Sequence, residues 1–269
     1  MYIENHIIKD ISYQESSNHG GNNVLKEIDT IVIHYTGGAS ADSSIKTLCN
    51  PAVKASAHLV IAKDGAITQL VPFNIKAWHA GKSTHHSVNG LNKYSIGIEI
   101  DNPGRLQKVG TKFISWFGRE YSVEKVIRAK HINEEFYSYW HTYSEEQINA
   151  VFELCELLVK KYNIKYIVGH DEIAPGRKSD PGPAFPMEKL RSQVLFHDRK
   201  EENETEYPKN AEVSVPFLNI RKKPSSKEPK VAAPLQRGTK VKIIDCNGDW
   251  YNVSVTINGW VMKKYLKSE

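Results

Sequence analysis

Short apolar runs alternate with helical patterns between residues 30 and 169, and this alternation restricts the folds open to the chain. Residues 30–36 (TIVIHYT) form an apolar run that predicts a buried strand. Residues 95–100 (SIGIEI) predict a second strand, and residues 165–169 (KYIVG) a third. Strands that alternate with helices in this way predict an α/β domain in which helices cover a mixed β-sheet.

Turn and capping signals place the elements between these strands. Asp64 and Gly65 separate two apolar runs and supply the positive φ that a tight hairpin needs. Ser144 and Gln147 form a capping box at the start of the clearest helical pattern. Cys155 falls on the apolar stripe of that helix, so we interpret it as a core residue rather than a ligand.

Composition argues against a membrane protein and a disulfide scaffold. The 269 residues are 40% apolar and 25% charged, and no run approaches the ~20 apolar residues of a membrane span. The first 25 residues lack the apolar core of ~7–15 residues that a secretion signal needs. Three distant cysteines cannot form a disulfide framework. We therefore expect synthesis in a reducing compartment, although a chain whose signal had been removed would look the same.

Positive charge is concentrated in the C-terminal fifth of the chain. Residues 212–269 carry 11 Lys and Arg against 5 Asp and Glu, a net charge of +6, whereas the other residues carry 25 against 26. This asymmetry predicts a separate unit that meets an anionic surface or polymer. The unit has no arginine cluster or nucleic-acid motif, so we do not expect it to bind nucleic acid. The polar residues 197–210 predict a linker before it.

Two histidines stand out because each lies on or directly after an apolar strand. His34 lies within the first run, and His170 follows the third. Burying an imidazole at such a position is unfavourable unless it has a partner. On the residues alone, a core histidine with a hydrogen-bond partner competes with a ligand. Five other histidines lie among polar residues and are interpreted as surface side chains: His85, His86, His131, His141 and His197.

The loop at residues 168–185 (VGHDEIAPGRKSDPGPAF) collects charged side chains between two Pro-Gly turns. A charged loop rich in proline and glycine is often only a surface loop. This one follows a buried strand, where the sites of sheet proteins tend to lie. Its candidate residues are His170, Asp171, Glu172, Arg177, Lys178 and Asp180.

Five motifs in order resemble those of the zinc-dependent N-acetylmuramoyl-L-alanine amidases of the type-2 amidase superfamily, in particular its AmpD-like branch. The resemblance covers residues from about 26 to 190. It implies a Zn²⁺ cofactor and hydrolysis of the amide between N-acetylmuramic acid and L-alanine of peptidoglycan. The motifs are residues 31–38 (IVIHYTGG), 56–65 (SAHLVIAKDG), 78–81 (WHAG), 95–100 (SIGIEI) and 169–185 (GHDEIAPGRKSDPGPAF).

The same resemblance implies a role for individual residues. It makes His34, His170 and Asp180 the zinc ligands, because they occupy the ligand positions of the matching motifs. It makes Glu99 the catalytic acid/base and Lys178 the cation that polarises the substrate carbonyl. Other branches of the superfamily have cysteine in place of the aspartate, so Asp180 indicates the AmpD-like branch.

Elementary chemistry is consistent with these roles. Catalytic zinc takes three nitrogen or oxygen ligands and keeps a position for water, whose pKa it lowers from ~15.7 to near 7. The leaving amide nitrogen needs a proton, which Glu99 could transfer. Glu99 shares its strand face with Gly97, although a solvent-facing glutamate is the alternative from the residues alone. Lys178 could stabilise an oxyanion or could be a solvated loop lysine.

Further residues near these motifs are candidates for supporting roles. Phage lysozymes of the superfamily carry a catalytic tyrosine before the hairpin histidine, whereas Ala57 precedes His58 here, which increases the importance of Glu99. Arg177 and Asp171 are candidates for orienting the ligands. His79 either contacts substrate or makes a structural hydrogen bond.

The segment 102–143 is longer than compact relatives need and is rich in aromatic side chains. These rings could form a cleft wall or lid over glycan. We favour an added subdomain that buries the rings in its own small core. They belong to Trp116, Phe117, Tyr121, Phe136, Tyr137, Tyr139 and Trp140.

The residues from about 211 to 266 resemble a bacterial SH3 domain, a small all-β barrel. Such domains bind cell-wall peptides or polymers, which fits the net charge of +6. We therefore expect a catalytic domain (1–196), a linker (197–210) and a wall-binding domain (211–269). The motifs that carry the resemblance are residues 218–226 (LNIRKKPSS), 234–244 (PLQRGTKVKII), 249–253 (DWYNV) and 259–266 (GWVMKKYL).

The leading hypothesis is a zinc amidase that lyses polymeric peptidoglycan. We expect synthesis in the cytoplasm and action on the wall after release, as an endolysin or an autolysin. One alternative is a cytoplasmic amidase that recycles anhydro-muropeptides. Another is a non-catalytic peptidoglycan receptor, against which the complete set of ligands together with Glu99 argues.

Overall fold

The structure is a computed structural model that describes residues 1–24, 28–195, 207–256 and 262. The chain divides into two compact units, Met1–Glu201 and Glu202–Glu269. Strands and helices of the first unit are β1 (Tyr2–Glu4), β2 (Ile7–Lys9), β3 (Ser12–Tyr13), β4 (His19–Val24), β5 (Thr30–Tyr35), α1 (Ala41–Leu48), β6 (Leu59–Ile61), β7 (Ile67–Gln69), β8 (Ile75–Ala77), β9 (Thr84–His85), β10 (Val88–Asn89), β11 (Ser95–Ile100), β12 (Arg105–Val109), β13 (Lys112–Ile114), β14 (Glu120–Tyr121), β15 (Val126–Lys130), β16 (Tyr137–His141), α2 (Glu145–Lys161), β17 (Tyr166–Gly169), α3 (His170–Ile173) and α4 (Met187–Leu195).

A six-stranded mixed sheet lies at the centre of the first unit, in the order β17-β5-β11-β6-β7-β3. The four strands from β17 to β6 run parallel, and β7 returns antiparallel to β6. Gly65 has a φ of +84° in the turn between β6 and β7, and Asp64 Oδ1 accepts from the backbone N–H of Ala66 at 3.0 Å. The predicted hairpin and the predicted mixed sheet are therefore confirmed.

Alternation along β11 separates the core from the opposite face of the sheet. Its three isoleucines are fully buried in the core that α2 covers, and each contributes ~1.5–3 kcal/mol by burial. The capping box of Ser144 and Gln147 begins α2, as predicted, and Cys155 is buried in the same core. The other face of β11 carries Ser95, Gly97 and Glu99.

The segment between β11 and α2 forms a five-stranded antiparallel sheet in the order β14-β13-β12-β16-β15, which we call the insertion sheet. Trp140 is fully buried, but it packs into the main core of the unit. Trp116, Phe136 and Tyr137 are exposed. The expectation that this segment buries its rings in its own core is therefore wrong. A single antiparallel sheet can pack one face against the main core and leave its other face in solvent.

The second unit is a small all-β region, as predicted. Val213, Leu235 and Val241 form its buried core. The run at 259–266 lies outside the described residues except for Met262, and so do residues 197–206 of the predicted linker. The described strands are β18 (Asn210–Glu212), β19 (Phe217–Leu218), β20 (Leu235–Gln236), β21 (Lys240–Asn247) and β22 (Trp250–Ser254).

The helices of the described residues include none with the length and apolar character that crossing a membrane requires.

Candidate functional site

The parallel strands of the main sheet bring the predicted site residues to one edge. His34 lies near the end of β5, and Glu99 is its direct neighbour across the sheet on β11. His170 is the first residue of α3, immediately after β17. Since β17, β5 and β11 are adjacent and parallel, these three side chains come from the carboxyl ends of neighbouring strands. Asp180 reaches the same edge from the loop after α3.

Both histidines meet a single oxygen of Asp180. His34 Nδ1 lies 2.8 Å from Asp180 Oδ2, and His170 Nδ1 lies 2.9 Å from the same atom. The side chains are buried, and one donor atom from each residue lies within 4.8 Å of the others. These three residues, which we call the triad, are the group in the described residues with potential metal-ligand spacing.

The far side of His34 is held by a chain of hydrogen bonds that determines its tautomer. The Ser95 hydroxyl donates to the Leu91 carbonyl at 2.6 Å, so its oxygen accepts from His79 Nε2 at 3.2 Å. His79 Nδ1 then accepts from His34 Nε2 at 3.0 Å. The Nδ1 lone pair of a neutral His34 ring consequently faces the Asp180 carboxylate.

His170 is oriented in the same way by a different partner. The Ala80 carbonyl lies 3.1 Å from His170 Nε2 and can only accept, so Nε2 carries the proton. Arg177 donates to the Ala80 carbonyl at 2.9 Å and to the Lys82 carbonyl at 2.6 Å, which fixes this backbone segment. Arg177 Nη2 also lies 3.4 Å from His170 Nε2. Because Nε2 carries a proton and cannot accept from it, Arg177 orients the ring through the Ala80 carbonyl. Held outer nitrogens of this kind are characteristic of metal-binding histidines.

The protonation states of the triad fit a cation. Burial lowers the pKa of His34 to about 4, so the ring is neutral at neutral pH. Burial alone would raise the pKa of Asp180, but its close contacts with His170 and His34 outweigh burial and hold the pKa below its usual range. Two lone pairs and a carboxylate oxygen thus converge, and such a donor set is stable only with positive charge among its atoms.

Glu99 provides a carboxyl group beside the triad. Its Oε2 is buried and has no hydrogen-bond partner within the described residues. Burial, and then the Asp180 charge, raise the pKa of Glu99 well above its usual value, whereas Lys178 opposes this shift. A carboxyl group in such surroundings can hold a proton at neutral pH.

Lys178 lies on the exposed part of the loop after α3. Its charge acts on both Glu99 and His34, lowering the pKa of each, so the ammonium group is within electrostatic range of the site. Among the described residues its side chain forms no ion pair. Lys178 is therefore a cation that remains available to a bound molecule.

Two of the surface assignments for histidine are wrong. His131 is only 3% exposed, and its Nε2 lies 3.1 Å from Asp171 Oδ2. His141 is 6% exposed. Both lie on or next to the insertion sheet, which buries them although their chain neighbours are polar. Asp171 consequently contacts His131 through its side chain rather than the triad, and only its backbone N–H reaches the Asp180 carbonyl, at 2.8 Å.

Sequence reasoning missed Ser95 and left the role of His79 open. The structure shows that His79 makes hydrogen bonds to protein groups with both ring nitrogens. The ring packs against Gly97, where a Cβ would collide with it. The alternation of β11 placed Ser95 and Gly97 on the site face, but no signal in the sequence indicated that a histidine 16 residues away would fill that space.

Comparison with known proteins gives two family matches. The model of the N-acetylmuramoyl-L-alanine amidase family matches residues 24–183, and that of the bacterial SH3 domain matches residues 216–267.

Two curated relatives and one solved structure are similar to the first unit. N-acetylmuramoyl-L-alanine amidase AmiD of Escherichia coli (strain K12) is 33% identical over 201 residues, which are 71% of this chain and 62% of AmiD. The 1,6-anhydro-N-acetylmuramyl-L-alanine amidase AmpD of Salmonella typhimurium (strain SL1344) is 30% identical over 151 residues, 55% of this chain and 62% of AmpD. The chain thus spans less than two thirds of either relative. A crystal structure of a selenomethionine derivative of AmpD has the same fold, with a TM-score of 0.51 at 24% identity over 72% of this chain and 99% of that one.

Proposed function

The chain belongs to the N-acetylmuramoyl-L-alanine amidase family, and we propose that it is a zinc hydrolase that cleaves the amide between the lactyl group of N-acetylmuramic acid and L-alanine of the peptidoglycan stem peptide. The observation that carries this proposal is the convergence of His34, His170 and Asp180 beside the buried carboxyl of Glu99. The names of its relatives AmiD and AmpD denote amidases of this class.

The triad is the proposed zinc site. Two nitrogens and one carboxylate oxygen match the ligand number of catalytic zinc, which keeps a fourth position open. Zn²⁺ held there would supply Lewis acidity to activate water and polarise the amide carbonyl. The chain contributes two neutral rings whose outer nitrogens are held by His79 and by the Ala80 carbonyl.

Glu99 is the proposed proton carrier. Its raised pKa moves the carboxyl group toward the pH range in which it both takes up and releases a proton. Because Oε2 has no partner among the described residues, it is available to a substrate group. We assign it the proton that the leaving amide nitrogen requires. Lys178 is assigned to the carbonyl oxygen, where a cation stabilises developing negative charge.

The second unit supports action on polymeric peptidoglycan rather than on small recycled fragments. It matches a bacterial SH3 domain and carries the excess positive charge of the chain. We propose that it binds a cell-wall polymer and that the enzyme acts at the wall after release. The proposed boundaries are 1–196 for the catalytic domain, 197–210 for the linker and 211–269 for the wall-binding domain.

Digestion of purified sacculi tests the proposed reaction. Mass spectrometry of the products is expected to show new L-alanine amino termini and glycan that retains its lactyl groups. Treatment with a chelator is expected to stop the reaction, and added Zn²⁺ to restore it. Metal analysis of the same samples gives a readout that does not depend on turnover.

Cosedimentation with sacculi separates the amidase from the receptor alternative. An active amidase releases termini at an initial rate that is proportional to the concentration of zinc-loaded protein. Protein that sediments with sacculi and holds zinc but releases no termini would contradict the proposed hydrolysis and favour a receptor.

A further inference from the structure

A groove of about 610 Å³ lies between the end of β5 and the insertion sheet. Its volume is within the range of ~300–1,000 Å³ that is usual for small-molecule sites. Tyr35 and Gly37 contribute one side, and Gln107 and Trp116 of the insertion contribute the other. The residues that line the groove include none of the triad, so the groove is distinct from the triad.

Tyr35 connects the groove to the triad. It directly follows His34, and its hydroxyl lies 2.7 Å from the Ser179 hydroxyl, next to Asp180. Gly104 adopts a φ of +75°, and a Cβ there would collide with the Tyr35 ring. The ring is thus fixed between the insertion and the triad loop. Tyr35 therefore lines the groove and also contacts the loop that carries Asp180.

Trp116 is an exposed but immobilised ring at the groove. The residue is 79% exposed, yet its indole Nε1–H donates to the Gly37 carbonyl at 2.7 Å. Arg119 adds a second link, since its guanidinium donates to the Ala39 carbonyl at 2.6 Å. The polar edge of the indole is therefore satisfied by protein, while its apolar face remains in solvent. Such a face favours a ligand that is apolar on one side.

Charge distinguishes the sugars of peptidoglycan from its peptides as ligands. Arg105 is the charged residue that lines the groove, and its guanidinium pairs with Glu134 at 2.5 Å and stacks on the Trp140 ring at 4.6 Å. Stem peptides carry carboxylates, and binding one in the groove would require a cation that is not already paired, as Arg105 is. A pyranose ring is neutral, with C–H groups that suit an aromatic face and hydroxyls that suit the exposed Gln107 amide.

We propose that this groove is a saccharide subsite, in which a sugar of the glycan strand beyond the cleaved muramic acid packs on Trp116 and Tyr35. The inference rests on the proposed function and adds to it a preference for glycan chains over single muramyl peptides. It assigns to the insertion a role in selecting polymeric substrate.

Steady-state kinetics on two substrates tests the subsite. One substrate is N-acetylmuramic acid carrying L-Ala-D-isoglutamine, and the other is a peptidoglycan tetrasaccharide carrying the same peptide. Trp116→Ala in the full chain is expected to lower the tetrasaccharide-to-monosaccharide ratio of kcat/KM about tenfold, mainly through KM, because stacking is lost. Trp116→Phe keeps an aromatic face without the Nε1–H and is expected to retain most of the ratio.

Tyr137→Ala is the matched control, because Tyr137 is an exposed aromatic residue of the insertion sheet that does not line the groove. Its ratio is expected to equal that of the wild type. Equal melting temperatures and zinc contents establish that the variants are folded. An unchanged ratio in active Trp116→Ala, or an equal loss on both substrates, would overturn the subsite alone. Wild-type protein that cleaves neither substrate would contradict the proposed function as well.

Discussion

His34 and His141 are both buried histidines of the first unit, and burial lowers the pKa of each to about 4. They differ in their partners. His34 contacts His79 with one ring nitrogen and Asp180 with the other. Neither ring nitrogen of His141 makes a well-formed hydrogen bond within the described residues. After burial, the Lys63 charge lowers the pKa of His141 further, and the adjacent Thr142 backbone opposes this shift.

The comparison shows that burial and a lowered pKa do not by themselves define a site. His34 belongs to a set of groups whose lone pairs converge, and its partners determine its tautomer. His141 faces the edge of the Tyr121 ring, with ring centroids 4.7 Å apart, and has no convergent ligands. We expect His34 to govern zinc binding and His141 to affect only the stability of the fold. Substitutions at and around these two residues test this difference.

Asp180→Asn is expected to have the largest effect. It removes the charge that both histidines share, so zinc affinity should fall by more than the ~10–100-fold typical of an outer contact. Chelator competition measures the affinity. Asp42→Asn, an exposed aspartate on α1, is the control and should bind zinc normally. Normal affinity in Asp180→Asn would show that the triad is not the ligand set.

Glu99→Gln is expected to retain zinc and lose ~10²–10⁴-fold in kcat, because the amide cannot carry the proton. Turnover of a muramyl peptide and metal content are measured on the same preparation. Glu153→Gln, an exposed glutamate on α2, provides the comparison. Wild-type turnover in Glu99→Gln would exclude the proton-transfer role.

His141→Phe is expected to change the pH dependence of stability but not zinc binding. The pKa of His141 is about 4 in the folded state against 6.5 in the unfolded state, so the unfolded state binds more protons between these values. Its contribution is present above pH 6.5 and is lost as pH falls toward 4. Wild type should therefore lose about 3 kcal/mol more unfolding free energy than the variant over this interval.

Urea unfolding at several pH values measures this difference. His86→Asn is the control, since His86 is exposed and its φ of +43° is one that asparagine tolerates. Parallel stability curves for wild type and His141→Phe would contradict the assignment of a buried, poorly partnered ring.

His79→Gln is expected to weaken the metal site less than Asp180→Asn does. The amide can preserve one of the two hydrogen bonds, so zinc affinity should fall by ~10-fold, toward the lower end of the range for outer contacts. The Ser95→Ala variant removes the next link and should have a weaker effect of the same sign. Unchanged affinity in both would show that the chain from Ser95 to His34 does not orient the ring.

Local patterns were sufficient for much of the fold. The alternation of β11 predicted which residues face the core, and the turn at Gly65 and the cap at Ser144 lie where their residue types indicated. These features depend on neighbours a few residues apart, so periodicity and backbone preference report them directly.

Contacts between distant segments could not be predicted in this way. Asp180 is 146 residues from His34, and only the family resemblance connected them. His131 appeared solvated because its neighbours are polar, yet Asp171, 40 residues away, pairs with it in a buried position. The aromatic content of the insertion suggested that Trp116 lies in a core, but Trp116 is exposed. Composition does not show which face of a sheet is covered.

The most direct test of the account is the zinc content of the purified full-length protein and of Asp180→Asn, after both are stripped and reconstituted with Zn²⁺. Mass-spectrometric metal analysis after dialysis is expected to find one zinc per wild-type chain and little in the variant. Wild type that retains no zinc, or a variant that retains as much, would contradict the assignment of His34, His170 and Asp180 as a metal centre.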